Sequence, residues 1–196
     1  LETKGERTRG ALLAAAIGRF GRDGYRGTSV ADIARDAGVG GTAAYAYFPG
    51  KEALFFAAVD EDAARMIERA REALLSRPRQ DDWYEHLFTT LVAASEQHPL
   101  ARRLLAGREP EVTPRVLEVP SLVALRRLVA ERLGEEQARG TVRSDVDPAA
   151  MANGIVAVML SLLMSVVQLG ERVALPYAAD VTAVFRAALD PPGSPN

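Results

Sequence analysis

Thr42, Tyr45, Tyr47 and Lys51 bring two phenols, a hydroxyl and an ammonium into a ten-residue stretch of the chain. Such groups suit contact rather than bond breaking. A threonine hydroxyl can hydrogen-bond a base edge while its methyl meets a thymine methyl. A lysine at a helix start can meet a phosphate, assisted by the helix's own amides. Thr28 and Ser29 supply two more hydroxyls of the kind that bind phosphate oxygens. Each has a plainer reading beside it: Lys51 as a solvated charge, the tyrosines as packing, Ser29 as a helix cap.

Two other chemistries deserve comparison. Gly38, Gly40 and Ala43 spell G-x-G-x-x-A, the spacing of a dinucleotide-binding turn,. That turn needs a buried strand in front of it, whereas Asp32, Arg35 and Asp36 precede it at helical spacing,. A hydrolase would draw on His86 and His98 with Glu85 or Glu96. The two histidines are twelve residues apart rather than four, and the chain has no H-E-x-x-H, G-x-S-x-G or P-loop,. Catalysis is not expected, and neither is a metal or another cofactor.

The elements around the contact residues favour the first chemistry. Ser29 stands three residues before Asp32, a capping arrangement that opens a helix,. Val30, Ile33, Ala34 and Ala37 then fall on one face over barely two turns,. Gly38 can take the left-handed conformation that ends that helix sharply, with Val39 plugging the angle behind it,. Residues 42–48 read as a second short helix, closed by Pro49 and Gly50, and Lys51 opens a third,. Two short helices crossing at a tight turn form a helix-turn-helix, a shape that enters the DNA major groove.

The run Ser-Val-x-Asp-Ile-Ala-x-x-Ala-Gly-Val from Ser29 to Val39, followed by Tyr45, Phe48 and Pro49-Gly50-Lys51, closely resembles the DNA-binding region of the TetR family of bacterial transcriptional regulators. The resemblance implies a ligand-responsive regulator, most often a repressor, acting as a homodimer on a palindromic operator. By the same resemblance Tyr45 touches the DNA backbone, and Tyr47 stands where histidine is commoner. Where the family often has a serine, a polar residue, a glycine and a threonine, this chain has Gly40, Gly41, Thr42 and Ala43. Few side chains are left for bidentate base contacts, so Thr42, Tyr47, backbone amides and DNA shape must share the reading. That sparseness also favours a competing reading, an all-helical interaction protein without DNA affinity.

Composition and charge fit a soluble all-α protein. The 196 residues are 48% hydrophobic and include no cysteine, which excludes disulfides and thiolate metal sites,. Net charge is −2, yet residues 1–51 hold eight lysines and arginines against five acids, so the positive share lies with the motif,. The first ten residues lack the apolar core of a signal peptide, and a cytoplasmic location is expected,.

Helical periodicity extends along the rest of the chain. Leu13, Ala16, Ile17 and Phe20 mark a helix ending at Gly24, preceded by a basic arm of Lys4, Arg7 and Arg9 that either touches DNA or frays. From Lys51 an amphipathic stretch runs to about residue 76, carrying Phe55, Val59, Ala63, Met66, Ala70 and Leu74. Asp82 and Glu85 read as a capping pair for a helix to about His98, and Pro99 starts a short one,. Residues 107–120 are an irregular connection with a turn or two of helix, and 121–140 are helical again,. Residues 149–169 have no charged side chain, a length that could span a bilayer,. Asn153, Ser161, Ser165 and Gln168 interrupt the run and no basic cluster flanks it, so it reads as a helix buried between its own core and a partner, with no membrane involved,.

The expected organisation is thus a three-helix DNA-binding domain over residues 1–50, a larger helical ligand-binding and dimerisation domain over 51–190, and a disordered tail over 191–196. Gly154, Ser161 and Ser165 permit close helix approach, and Val181 and Phe185 of a last helix over 176–189 join them as dimer-interface candidates. In the resembled family the last two helices pair with their copies, and a small molecule enters a cavity among the C-terminal helices. Met66, Trp83, Leu87, Thr90, Asn153, Met159 and Met164 are the candidates for lining it, a mostly apolar set that suits a hydrophobic effector,.

Overall fold

The computed structural model of the chain describes residues 3–76 and 83–191, and only the backbone of helical residues 73–76, 175, 178 and 179. Among the described residues there are ten helices and no strand. They are α1 (Lys4–Asp23), α2 (Val30–Asp36), α3 (Gly41–Tyr47), α4 (Lys51–Ser76), α5 (Trp83–Ser95), α6 (Pro99–Leu105), α7 (Thr113–Val116), α8 (Pro120–Arg139), α9 (Pro148–Leu169) and α10 (Glu171–Leu189). They fall into two compact units. The first joins Leu1–Met66 to Ala94–Ser121, and the second joins Ile67–Ala93 to Leu122–Asn196. The sequence suggests a division after residue 50, but the first unit continues through Met66 and includes α6 and α7.

In the first unit, α1 buries Leu12, Leu13, Ala16, Ile17 and Phe20. The basic arm expected ahead of it is instead the first turns of the helix. Thr3 accepts the Glu6 amide and Glu6 accepts the Thr3 amide, a reciprocal cap that fixes Lys4, Arg7 and Arg9 on a helical surface,. Gly24 ends α1 with φ 78°. Helix α6 crosses α1 at Gly21, where a Cβ would lie 2.9 Å from the Cβ of Pro99. Phe20, Tyr25 and Phe55 meet at the centre, Phe55 edge-on to Phe20 at 5.0 Å and to Tyr25 at 4.9 Å between ring centroids,.

A buried polar joint ties α4 to α6. Asp62, almost fully enclosed, accepts the Leu100 and Ala101 amides at 3.1 and 2.9 Å, and its other oxygen lies 2.9 Å from His98 Nδ1. The carboxylate satisfies amides that the first turn of α6 leaves without partners. His98 therefore belongs to the N-cap of α6, and α5 stops at Ser95 rather than at His98 as periodicity suggests. The proposed cap at Asp82 lies outside the described residues.

In the second unit, α9 packs along α10. Asp147 caps α9 by accepting the Ala149 and Ala150 amides, and Pro148 takes the first position,. The helix buries Ala152, Ile155, Val156, Met159, Leu163 and Val166. It exposes Asn153, Gly154, Ala157, Val158 and Ser161. By length and composition α9 could cross a membrane, but one side of it packs against its own unit. Helix α10 begins at Glu171, not near Pro176 as expected, and Pro176 lies inside it. Proline leaves one carbonyl without its amide and costs about 3 kcal/mol inside a helix, so packing against α9 has overridden local propensity,. Tyr84 of α5 meets Phe185 of α10 edge-on at 5.7 Å.

Candidate nucleic-acid interface

The turn between α2 and α3 closes on main-chain hydrogen bonds. The Val39 amide donates to Ala34 O at 2.9 Å and the Gly38 amide to Arg35 O at 3.1 Å. These are the paired bonds of a Schellman motif, with Gly38 at φ 66° in the left-handed position it requires,. Val30, Ile33 and Ala34 of α2 and Ala44 of α3 are buried where the helices meet. Small side chains at Ala34 and Ala44 let the two axes approach closely.

The start of α2 departs from the full reciprocal cap. Ser29 Oγ accepts the Asp32 amide at 3.1 Å, but Asp32 returns to the Ser29 hydroxyl at 2.6 Å rather than to its amide. Aspartate is one methylene shorter than the glutamate that usually makes the return reach. The Ser29 hydroxyl is therefore already engaged. Thr28 is buried, with its hydroxyl donating to Gly24 O at 2.8 Å. This local bond turns the hydroxyl inward.

Helix α3 leaves most of its length open. Gly40, Gly41, Thr42 and Ala43 are exposed, and Tyr45 is 54% exposed. A Cβ at Gly40 or Gly41 would meet nothing within 4 Å, so nothing inside the chain demands glycine there. Tyr47 is half-buried, its hydroxyl near Gly5 at the start of α1. Arg9 lies over the Phe48 ring at 5.3 Å. The basic first turns of α1 thus flank the end of α3, a neighbourhood that chain separation hides.

Lys51, at the first turn of α4, holds its Nζ 4.5 Å from the centre of the Tyr25 ring. Other charges of the head are paired within it. Arg19 binds Asp36 through two hydrogen bonds of 2.7 and 3.0 Å, which joins α1 to α2 and holds the Asp36 carboxyl below its usual range. The Ser29 hydroxyl, then Arg35, lowers the Asp32 carboxyl. Because both folded values lie below those of the open chain, these contacts stabilise the fold above about pH 4 and lose their effect as pH falls through the lowered values. Urea midpoints measured against pH should be level near neutrality and drop in acid. Asp36→Asn should flatten that drop, and an unchanged acid slope in this variant would contradict the role given to the pair.

Residues 12–58, which include the whole helix-turn-helix and the start of α4, match the family described as bacterial regulatory proteins, tetR family. The head carries the DNA-binding domain of the TetR family. The chain is 25% identical over 151 residues to the HTH-type transcriptional regulator UidR of Escherichia coli, covering 76% of each protein. A TetR transcriptional regulator from Chloroflexus aurantiacus is 26% identical, with a TM-score of 0.71 covering 95% of this chain and 98% of that one. A TetR-family regulator from Mesorhizobium loti shares the fold at a TM-score of 0.75 and 22% identity, over 96% of this chain and 100% of its own. The family and these relatives are transcriptional regulators, not enzymes. Of the two histidines that a hydrolase would draw on, His98 is engaged by Asp62 at 2.9 Å.

The other candidate residues separate. Met66 lies in the first unit, whereas Trp83, Leu87, Thr90, Asn153, Met159 and Met164 lie in the second. Trp83, Leu87 and Met159 are buried, Thr90 and Met164 half-buried. Asn153 is exposed on α9, so its amide meets solvent and needs no buried partner. Of the interface candidates, Gly154 and Ser161 are exposed, and Ser165 and Val181 half-buried. Phe185 is buried on Tyr84, and its neighbour Val184, at 63% exposure, faces outward instead. Sequence reasoning passed over Tyr25, Arg103 and Glu109. Only their residue types pointed to them, because their partners are distant in the chain.

Proposed function

We propose that this TetR-family transcriptional regulator is a cytoplasmic repressor that binds a palindromic operator as a homodimer and is released by a small hydrophobic molecule. The observation that carries the proposal is the open α3, with Thr42 and Tyr45 exposed on a short helix held rigidly against α2. One such helix reads only a few base pairs. Two copies spaced by a helical turn of DNA, about 34–36 Å, or a multiple of it, supply useful specificity on a palindrome. Thr42 and Tyr47 contribute to base reading, Tyr45 and Lys51 to backbone contact, and the amides around Gly40 and Gly41 approach closely because no side chain intervenes,.

Dimerisation is supported by an apolar surface on the second unit, where Val158 of α9 and Val173, Tyr177 and Val184 of α10 are exposed,. A second copy presenting the same helices is the natural occupant, since an isologous contact buries both faces at once. Release requires that effector and DNA prefer different arrangements of the chain. A thermal-shift screen of long-chain acyl-CoA esters is the first test, because the Thermus thermophilus FadR structure, a fold neighbour at 20% identity and TM-score 0.67, is a complex with lauroyl-CoA. A stabilising ester that also lowers affinity for duplex supports effector release, and an ester that stabilises without altering DNA affinity counts against it.

Lys51→Ala should weaken binding to all duplex sequences alike. It should also flatten the dependence of log affinity on log salt by about 2 per dimer, one phosphate from each head. Titration by fluorescence anisotropy at several salt concentrations checks this, and an unchanged slope removes Lys51 from the interface. The competing reading, an interaction protein without DNA affinity, predicts no retardation of any promoter fragment at low salt.

A further inference from the structure

Lysine is a point charge on a flexible stem, so a phosphate contact gains from anything that holds the ammonium in place before DNA arrives. The Tyr25 ring is placed to do that. It lies under Lys51 Nζ at 4.5 Å, within the range where an aromatic face attracts a cation,. A cation resting on a ring face keeps N–H donors directed away from it, available to a phosphate oxygen.

The ring is itself held from two sides. Phe55, fully buried one helical turn after Lys51, packs edge-on against it with a 73° interplanar angle,. The Tyr25 amide donates to Glu109 Oε1 at 3.2 Å, a bond spanning 84 residues of chain. Glu109 is buried and also accepts from Arg103 Nε at 2.6 Å, while Arg103 Nη1 reaches Arg22 O at 3.4 Å. Gly24, just before Tyr25, has φ 78°, and a Cβ there would collide with both the Arg103 guanidinium and the Glu109 carboxylate. The turn after α1 is therefore shaped around that ion pair.

We propose that Tyr25 is the positioning residue for the phosphate contact of Lys51, and that the Arg103–Glu109 pair between α6 and α7 holds Tyr25 in register. The proposal rests on Lys51 meeting phosphate, as argued above. It gives a segment outside the helix-turn-helix a direct mechanical hold on DNA affinity through one aromatic ring. A purely structural Tyr25 would affect stability but would not act through Lys51.

The test uses the full chain and a fixed duplex of arbitrary sequence, because a phosphate contact is not sequence-specific. Tyr25→Leu should flatten the salt slope by about as much as Lys51→Ala, about 2 per dimer. Tyr25→Phe, which keeps the ring, should retain the parent slope. In the Lys51→Ala background neither Tyr25→Leu nor Glu109→Gln should weaken binding further. If Tyr25→Leu weakens binding equally in both backgrounds, or leaves the slope unchanged, the positioning role is overturned while Lys51 keeps its place. If Lys51→Ala has the parent slope, the phosphate reading fails and takes this proposal with it. A measurement on the unmutated protein does not depend on how the variants fold. Lys4 and Lys51 are the chain's two lysines, so ¹³C reductive methylation yields two assignable side-chain signals that retain their charge,. The Lys51 signal should lie upfield of Lys4, shifted by the Tyr25 ring current, and should move when duplex is added. Coincident lysine signals, or a Lys51 signal indifferent to duplex, would overturn the proposal.

Discussion

Ser161→Arg should convert the proposed dimer to monomers and weaken operator binding by roughly 10²- to 10⁴-fold. Ser161 lies on the exposed side of α9 with Gly154, Ala157 and Val158, and its hydroxyl is spent on Ala157 O within its own helix. In a lone chain an arginine there extends into solvent at little cost, so the melting temperature of each chain should hardly change. At a self-complementary face the side chain is duplicated across the symmetry axis. Two guanidinium groups must then be buried near one another without a counter-charge, at a cost of several kcal/mol. Loss of the partner removes the second half-site's effective concentration, which accounts for the fall in operator affinity. Light scattering and anisotropy titration measure the two effects separately, and an undisturbed dimer would reject this placement of α9.

Phe55→Ala should destabilise the first unit by about 3–5 kcal/mol. The ring is fully buried and contacts Phe20 at 5.0 Å, Tyr25 at 4.9 Å and Phe56 at 5.5 Å between centroids. Truncation loses the transfer free energy of the ring and leaves a cavity bordered by α1, the turn after it and α4, elements too closely fitted to collapse. A domain of ordinary stability has about 5–15 kcal/mol in total, so the variant should lose a large fraction of its resistance to urea. The denaturation midpoint should fall with little change in slope. A loss below about 1 kcal/mol would mean that the aromatic cluster is not the centre of the unit.

These expectations draw on both kinds of information, local pattern and long-range packing. The crossing of α2 and α3 was legible because its determinants are close in sequence. Ser29, the Val30–Ile33–Ala34 face and Gly38 each act within a turn of where they stand. The faces of α1 and α4 were legible for the same reason, since periodicity of 3.6 distinguishes an inner side from an outer one. Periodicity fails on α9, where every side is apolar. Nothing in the run itself indicates that Ile155 and Val156 turn inward while Asn153 and Gly154 turn outward. Nor does periodicity separate two neighbours on α10, where Phe185 packs on Tyr84 from another helix and Val184 is left outside. The polar joints were least accessible. Asp62 with His98, and Glu109 with Tyr25, join residues 36 and 84 positions apart, and an isolated acid in a helical pattern resembles any solvated charge,. Those joints bring α6 and α7 into the same compact unit as the DNA-reading helices.

We propose that α3 is presented to duplex DNA by two copies of the chain. The most direct test is selection of bound fragments from a random duplex pool by the full-length protein at low salt, followed by sequencing and by measurement of the stoichiometry on the enriched site. The enriched fragments should carry an inverted repeat whose half-sites are centred one helical turn apart, or a multiple of that, with one chain on each. The same pool exposed to Tyr45→Ala protein should show the repeat weakly or not at all. A pool with no enriched sequence, or a site occupied by a single chain, would contradict the proposal.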